Sequence, residues 1–152
     1  MVCLGNICRS PLAEGIFRDK LNKYGLNEKI TVDSAGTSNY HIGQNPDSRS
    51  AANAKKHGIN ISELIGRQFT QIDFDQFDRI YAMDNNNYDN ILALSRNEND
   101  KKKVDLILNV LNPGENQAVP DPYFGGEQGF ENVFNLLDKT CEELVINLKQ
   151  QL

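Results

Sequence analysis

Two cysteines and an arginine lie within the first nine residues of the chain, at Cys3, Cys8 and Arg9. The planar guanidinium of Arg9 can donate to two oxygens of one anion, such as a phosphate. A cysteine thiolate is a nucleophile, so Cys3 could attack an anion that Arg9 holds. The spacing indicates covalent catalysis on an oxyanion, although a bare Cys-x5-Arg pattern is a weak signal that also arises by chance.

The residues around this pair predict a loop that turns from a strand into a helix. Ser10 can cap the helix, Pro11 suits its first position, and Gly5 permits a backbone dihedral that other residues resist. The loop amides can then point towards one centre at a helix N-terminus, where they would bind an anion and favour thiolate over thiol. The residues expected to bind phosphate are Leu4, Gly5, Asn6, Ile7, Cys8, Arg9 and Ser10.

A later segment could supply the proton transfers that such a reaction needs. A departing alkoxide or phenolate takes up a proton and the next step needs an activated water, so one carboxyl group can serve both. Asp121 is a candidate, because Pro120 and Pro122 restrict the backbone on either side of it. Taken alone, the segment is more typical of a plain turn.

Composition restricts the classes of protein to consider. The 152 residues suffice for one domain, and no apolar run approaches the length of a membrane span. The net charge of −5 disfavours a general binder of nucleic acids or anionic membranes. Three cysteines without a recognisable signal peptide indicate reduced thiols in the cytoplasm, and two histidines with no C-x-x-C pair disfavour zinc.

Alternating strand and helix patterns indicate how these segments are positioned. Apolar spacing predicts a first helix over Pro11–Tyr24, ended by Gly25, and a long last helix. The predicted strands between them are 29–33, 78–83 and 104–108, and the predicted helices begin after Asp47, ending before Gly58, and after Asp84. This alternation favours an open, mostly parallel α/β sheet, whose ligands bind at the carboxyl ends of the strands.

Three later segments also carry motifs: DSAGT at 33–37, AMD at 82–84 and DPY at 121–123. Together with CLGNICRSP at 3–11, their order and spacing resemble the low-molecular-weight protein tyrosine phosphatases over nearly the whole chain. The resemblance implies one domain over 1–152, an α/β three-layer sandwich with a central four-stranded parallel twisted sheet and helices on both faces. It also implies hydrolysis of phosphotyrosine and small aryl phosphates, with no metal and no other cofactor.

The resemblance implies a catalytic role at each matching position. Cys3 would be the nucleophile that forms a cysteinyl-phosphate, and Arg9 would hold the phosphate. Asp121 would be the general acid and then the general base. Cys8 would pair with Cys3 on oxidation and so protect it reversibly.

The resemblance also implies supporting residues and partners. Asn6, Ser10 and Ser34 would organise the loop through hydrogen bonds, and the Ser10 hydroxyl would stabilise the thiolate. Tyr40 and Tyr123 would form aromatic walls against the substrate ring. The expected partners are proteins that contain phosphotyrosine, and the chain is expected to act as a monomer with at most weak self-association.

Three positions depart from the family pattern. Only Met1 and Val2 precede Cys3, so we expect that the sequence omits its true start or that the central strand is unusually short. Glu63 stands where some relatives have a histidine that supports the phosphate loop, which places that support in doubt. Phe124 stands where many relatives have a second tyrosine.

Several alternative functions share parts of this pattern. Arsenate reductases relay oxidation through further cysteines, but residues 73–96 contain none and Cys141, a predicted core thiol, is far along the chain. Arginine phosphatases favour threonine where Ile7 stands. A phosphoprotein-binding module would need neither Cys3 nor Asp121, and a nucleotide-binding P-loop would need a Gly-Lys-Ser/Thr that is absent.

Overall fold

Strands and helices alternate along the chain in the computed structural model, which describes residues 1–152. The strands are β1 (Val2–Cys3), β2 (Ala35–Gly36), β3 (Ile80–Ala82) and β4 (Val104–Leu106). The α-helices are α1 (Arg9–Lys23), α2 (Ser48–Lys56), α3 (Ile72–Gln76), α4 (Asn85–Ala93), α5 (Glu98–Lys102) and α6 (Gly126–Gln151), and a 3-10 helix spans Ile107–Val110. This alternation is the predicted α/β pattern.

The four strands form one parallel sheet in the order β2-β1-β3-β4. Strand β1 is short but internal, with Val2 opposite Ala35 of β2 and also opposite Ala82 of β3. Because β1 is bonded on both sides, the backbone at Cys3 is fixed by its neighbours. The loop that follows β1 leaves the sheet at the carboxyl end of the strands, where ligands bind in such folds.

Helices cover both faces of the sheet. On one face, α1, α2 and α6 pack together around buried side chains that include Leu12, Ile16 and Leu137. On the other face, Phe74 of α3 and Ile91 of α4 are fully buried against side chains of the strands. The predicted three-layer arrangement with a four-stranded parallel sheet is therefore confirmed. Cys141 of α6 lies in the first of these cores, as predicted.

The helix termini follow from local side-chain chemistry. Asp47 and Asp84 cap α2 and α4 as predicted, since their carboxylates accept from the N–H of Arg49 (2.8 Å) and of Asn87 (2.8 Å). Glycines predicted to end α1 and α2 have the left-handed backbone that such ends require, with φ of +68° at Gly25 and +79° at Gly58. No helix combines the length and the apolar composition needed to cross a membrane.

Several predicted element boundaries are wrong. The third and fourth strands are shorter than predicted, Ile80–Ala82 rather than 78–83 and Val104–Leu106 rather than 104–108. The second strand is Ala35–Gly36 and not 29–33, because pairing begins where the N–H of Ala35 donates to the carbonyl of Met1 (3.0 Å). Helix α1 begins at Arg9, with Cys8 and not Ser10 at the cap position. The short helices α3 and α5 were not predicted, since five residues show too little of a helical period to be recognised.

Candidate active site

The segment between β1 and α1, residues 4–8, forms a tight loop that we call the Cys3 loop. Its left-handed residue is Asn6, with φ of +57°, so the prediction that Gly5 supplies the unusual dihedral is wrong. Asparagine tolerates this conformation because its short polar side chain can hydrogen-bond locally. A Cβ at Gly5 would lie 2.9 Å from Cδ2 of His41, so a larger residue there would displace the half-buried His41 side chain.

The Cys3 sulfur lies buried at the base of this loop and has two hydrogen-bond partners. The backbone N–H of Asn6 donates to it over 3.3 Å, and the Ser10 hydroxyl lies 3.0 Å away. Ser10 is inside helix α1 and not at its cap, which leaves its hydroxyl free to point at the sulfur. Hydrogen bonds from both groups stabilise a negative charge on sulfur.

Three amides of the Cys3 loop have no acceptor within the protein: the N–H groups of Gly5, Ile7 and Cys8. The other two amides have acceptors. The N–H of Asn6 donates to the Cys3 sulfur, and the N–H of Leu4 donates over 3.3 Å to the side-chain oxygen of Asn87, in the amide orientation that gives both Asn87 side-chain atoms partners. Backbone amides gathered before a helix N-terminus form an anion-binding arrangement. The loop can therefore donate to an anion next to the Cys3 sulfur.

Arg9 is buried beside the loop, and one end of its guanidinium is fixed. Its Nη1 donates to Oδ2 of Asp84 (2.8 Å) and to the carbonyl of Val119 (2.9 Å). Its Nε and Nη2 have no partner within the protein, so two parallel donors remain for one anion. The guanidinium thus retains the bidentate edge that the sequence predicts for it.

Asn6, Ser10 and Ser34 meet in a buried hydrogen-bond network, as the resemblance implied. The Asn6 amide nitrogen donates to Oγ of Ser10 (2.8 Å) and of Ser34 (2.9 Å), and its oxygen accepts from the N–H of Arg67 (3.0 Å). Ser34 in turn donates to the buried carboxylate of Glu14 (2.7 Å). Three of these hydrogen bonds fix the side chain of Asn6, and the fourth fixes Ser34, which accepts from Asn6.

Glu63 takes no part in this network, because its side chain is exposed and has no hydrogen-bond partner. The backbone of Arg67 and the carboxylate of Glu14 provide the support instead. Neither was singled out from the sequence. The sequence did contain a signal for Glu14, because a carboxyl group in a mostly apolar stretch of α1 indicates a buried carboxylate with a hydrogen-bond partner.

Gly36 of β2 is a further residue that sequence analysis did not assign. A Cβ at this position would lie 2.8 Å from the Leu4 carbonyl oxygen, 3.0 Å from C of Gly5 and 3.1 Å from N of Asn6. These are backbone atoms that cannot turn away as a flexible side chain can. Gly36 therefore permits the sheet to lie directly against the Cys3 loop.

Asp121 is exposed and lies in the segment between Val119 and α6. Its carboxylate accepts from the N–H of Tyr123 (3.0 Å), while Pro122 between them is buried. Burial, followed by the negative charges of Asp47, Cys3 and Asp121, raises the pKa of Cys8 to about 12. Cys3 and Cys8 are both free thiols.

The two predicted aromatic walls are on the surface. Tyr123 packs edge-on against Phe124, with ring centroids 4.9 Å apart, and keeps 45% of its surface exposed. Tyr40 is 75% exposed and adjoins His41, whose ring covers Gly5 of the loop. Both tyrosines are available for contact with another molecule.

A comparison with known families adds to this geometry. The profile described as low molecular weight phosphotyrosine protein phosphatase matches residues 1–152. The chain belongs to this family. It is accordingly a protein tyrosine phosphatase of the low-molecular-weight class.

Individual relatives of the phosphatase are similar over nearly their full length. The low molecular weight phosphotyrosine protein phosphatase of Schizosaccharomyces pombe is 42% identical, over 88% of this chain and 85% of its own. The human protein of the same name is 41% identical, over 92% and 88%. A protein tyrosine phosphatase structure from Entamoeba histolytica, with Hepes in its active site, superposes with a TM-score of 0.92 at 41% identity, covering 99% and 95%.

Proposed function

We propose that this phosphatase hydrolyses phosphotyrosine in proteins, and small aryl phosphates, through a cysteinyl-phosphate on Cys3. The observation that carries the proposal is the position of the Cys3 sulfur, which accepts from the Asn6 N–H, lies 3.0 Å from the Ser10 hydroxyl and sits at the base of a loop in which three amides have no acceptor. A nucleophile and an anion-binding loop thereby occupy the same few residues. Catalysis by a loop whose donors are already oriented needs no reorganisation during the reaction.

In the first step, the thiolate of Cys3 attacks phosphorus in line with the bond to the phenol oxygen. The sulfur–phosphorus bond forms as the phosphorus–oxygen bond breaks, and Asp121 gives its proton to the departing oxygen. The free loop amides and the Nε and Nη2 donors of Arg9 hold the equatorial oxygens of phosphorus.

In the second step, water hydrolyses the cysteinyl-phosphate. Asp121, now ionised, takes a proton from water while the water oxygen attacks phosphorus and the bond to sulfur breaks. Inorganic phosphate leaves, Cys3 returns as thiolate and Asp121 is again protonated. The exposure of Asp121 supports this role, since a carboxyl at the surface can meet both a leaving group and water.

Aromatic phosphates are the substrate class that the surface favours. Tyr40 and Tyr123 offer exposed rings, which suit stacking against a substrate ring. A phenol, with a pKa near 10, also leaves more readily than an alkyl alcohol. We further propose that the phosphatase acts in the cytoplasm as a monomer, supported by three unpaired cysteines and by a site built within one chain.

A rapid-quench experiment tests the intermediate directly. After brief mixing with phosphotyrosine, mass spectrometry of the digested protein should find one phosphoryl group on the peptide that contains Cys3. Cys3→Ser should abolish turnover, whereas Cys141→Ala, which removes a thiol outside the site, should retain it. Substantial turnover by Cys3→Ser, or a phosphoryl group on another residue, would contradict the covalent mechanism. Phosphoserine, phosphoarginine and arsenate, tested in parallel, should be poor substrates.

A further inference from the structure

Arg49, at the start of α2, reaches across the surface to the segment that carries Asp121. Its Nη1 donates to the carbonyl of Tyr123 over 2.8 Å, a hydrogen bond between residues 74 positions apart. The guanidinium also lies over the ring of Tyr123, at 4.8 Å from its centroid, and over that of Phe130, at 5.0 Å. One side chain thus contacts both the backbone and an aromatic ring of this segment.

The other edge of the Arg49 guanidinium is fixed to Asp47. Nε lies 3.1 Å from Oδ1 of Asp47 and Nη2 lies 3.0 Å from Oδ2, which is a two-pronged ion pair. The N–H of Asp47 donates to the carbonyl of Ile7 in the Cys3 loop over 2.7 Å. A continuous series of hydrogen bonds therefore runs from the Cys3 loop through Asp47 and Arg49 to Tyr123.

The segment needs such a connection because it has few others. Pro120 and Pro122 have no N–H to donate, and the Tyr123 N–H is used by Asp121 within the segment. Val119 before it donates to Met83. Two hydrogen bonds reach residues 120–124 from outside: the N–H of Gly125, at the cap of α6, donates to the Pro122 carbonyl (3.0 Å), and Arg49 supplies the one that comes from a side chain.

We propose that Arg49 is a positioning residue that sets the distance between Asp121 and the Cys3 loop. It acts through Tyr123, whose carbonyl it holds and whose N–H binds Asp121, and it does not contact the substrate. The inference rests on the general-acid role proposed above for Asp121. A misplaced acid fails to protonate the leaving group in time, so substrates with a poor leaving group should be the ones affected.

The test compares Arg49→Met, which keeps the length of the side chain but donates no hydrogen bond, with Arg49→Lys, which keeps the charge. In Arg49→Met we expect kcat/KM for phosphotyrosine to fall about tenfold. For 4-nitrophenyl phosphate, whose leaving group depends less on an acid, we expect less than a threefold loss. Arg49→Lys should recover part of the loss. Lys55→Met, on the exposed side of the same helix, is the matched control and should keep full activity.

Combining the substitution with Asp121→Asn separates positioning from substrate binding. If Arg49 acts through Asp121, Arg49→Met should change kcat/KM by less than twofold in the Asp121→Asn background. An equal loss in both backgrounds, or a rise in KM alone, would mean that Arg49 contacts the substrate and would overturn the inference. Unchanged phosphotyrosine turnover in Arg49→Met would overturn it as well.

Two further measurements keep the outcome decisive. If Arg49→Met is unfolded by circular dichroism, Asp47→Asn replaces it, since asparagine still caps α2 but cannot form the two-pronged ion pair. Asp47→Asn should then show the same selective loss on phosphotyrosine, and full activity would overturn the inference. Normal phosphotyrosine turnover by Asp121→Asn would refute the acid role of Asp121. Slow turnover by Asp121→Asn together with normal turnover by Arg49→Met would refute only the positioning role of Arg49.

Discussion

Arg9 and Asp84 form an ion pair in which Nη1 lies 2.8 Å from Oδ2, and the Arg9 side chain is only 6% exposed. The same carboxylate caps helix α4 by accepting from Asn87. Asp84 therefore connects the residue proposed to hold phosphate with the element that follows β3. It also fixes which edge of the guanidinium stays available, because Nη1 is occupied and Nε and Nη2 are not.

Asp84→Asn should weaken phosphate binding without removing the helix cap, since asparagine is also a good cap. We expect about a tenfold loss of kcat/KM, because the free edge of Arg9 is no longer held in place. The free energy of unfolding should fall by about 2 kcal/mol, because a nearly buried cation loses its partner. Urea titration measures the free energy of unfolding, and inhibition by inorganic phosphate measures the strength of phosphate binding. Asp89→Asn, exposed on α4, should change neither, and equal behaviour of the two variants would refute the role of Asp84.

Asp121→Asn should slow phosphotyrosine hydrolysis by about a hundredfold or more, the usual contribution of a general acid or base. The loss should be smaller for 4-nitrophenyl phosphate in the first step, because its leaving group needs less assistance. Asp121 is exposed, so the midpoint of thermal unfolding should not change. Stopped-flow release of each phenol measures the first step, and an equal loss for both substrates would contradict the acid role.

Gly36→Ala should reduce both activity and stability. The added methyl group would lie 2.8 Å from the Leu4 carbonyl oxygen, so the Cys3 loop must shift to accommodate it. We expect a loss of about 1–3 kcal/mol in the free energy of unfolding, together with a strong fall in kcat. Gly129→Ala is the control, because its Cβ would meet nothing closer than 3.6 Å. The control should be active and equally or more stable, since alanine favours the helix.

Once peroxide has oxidised Cys3 to a sulfenic acid, attack by the Cys8 thiolate, which forms the disulfide and releases hydroxide, should become faster as the pH rises. The pKa of Cys8 is raised to about 12, chiefly by burial, so it is a thiol at neutral pH. Below that value its thiolate fraction increases tenfold with each pH unit, and the thiolate is the attacking species. Peroxide treatment followed by alkylation and mass spectrometry measures the disulfide. Cys8→Ser should form none and should recover poorly with thiols, and a rate independent of pH would contradict this route.

Local features of the site were predictable from the sequence. The strand, loop and helix around Cys3, and the caps at Asp47 and Asp84, depend on residues within a few positions of one another. Side-chain hydrogen bonding to nearby amides decides such features. Sequence reasoning failed locally at Gly5 and Asn6, because either residue can adopt a left-handed backbone and the surrounding contacts decide which one does.

Contacts between distant residues were not predictable in the same way. The support of Asn6 by Arg67, the burial of Glu14 against Ser34 and the reach of Arg49 to Tyr123 all join separate elements. No periodicity or capping rule encodes these pairs, since they depend on how finished helices and strands pack. The second strand was misplaced for the same reason, because pairing with β1 decided its position.

The location of Cys3 on an internal strand and of Asp121 on a surface segment has a consequence for evolution. Changes near Cys3 disturb a sheet bonded on both sides, so selection can alter that part of the protein little. The exposed side chains of Tyr40 and Tyr123 carry few such constraints, and substitutions there leave both the sheet and Asp121 in place. A lineage could therefore acquire new substrates by changing the rim of the site while inheriting its phosphate chemistry unaltered.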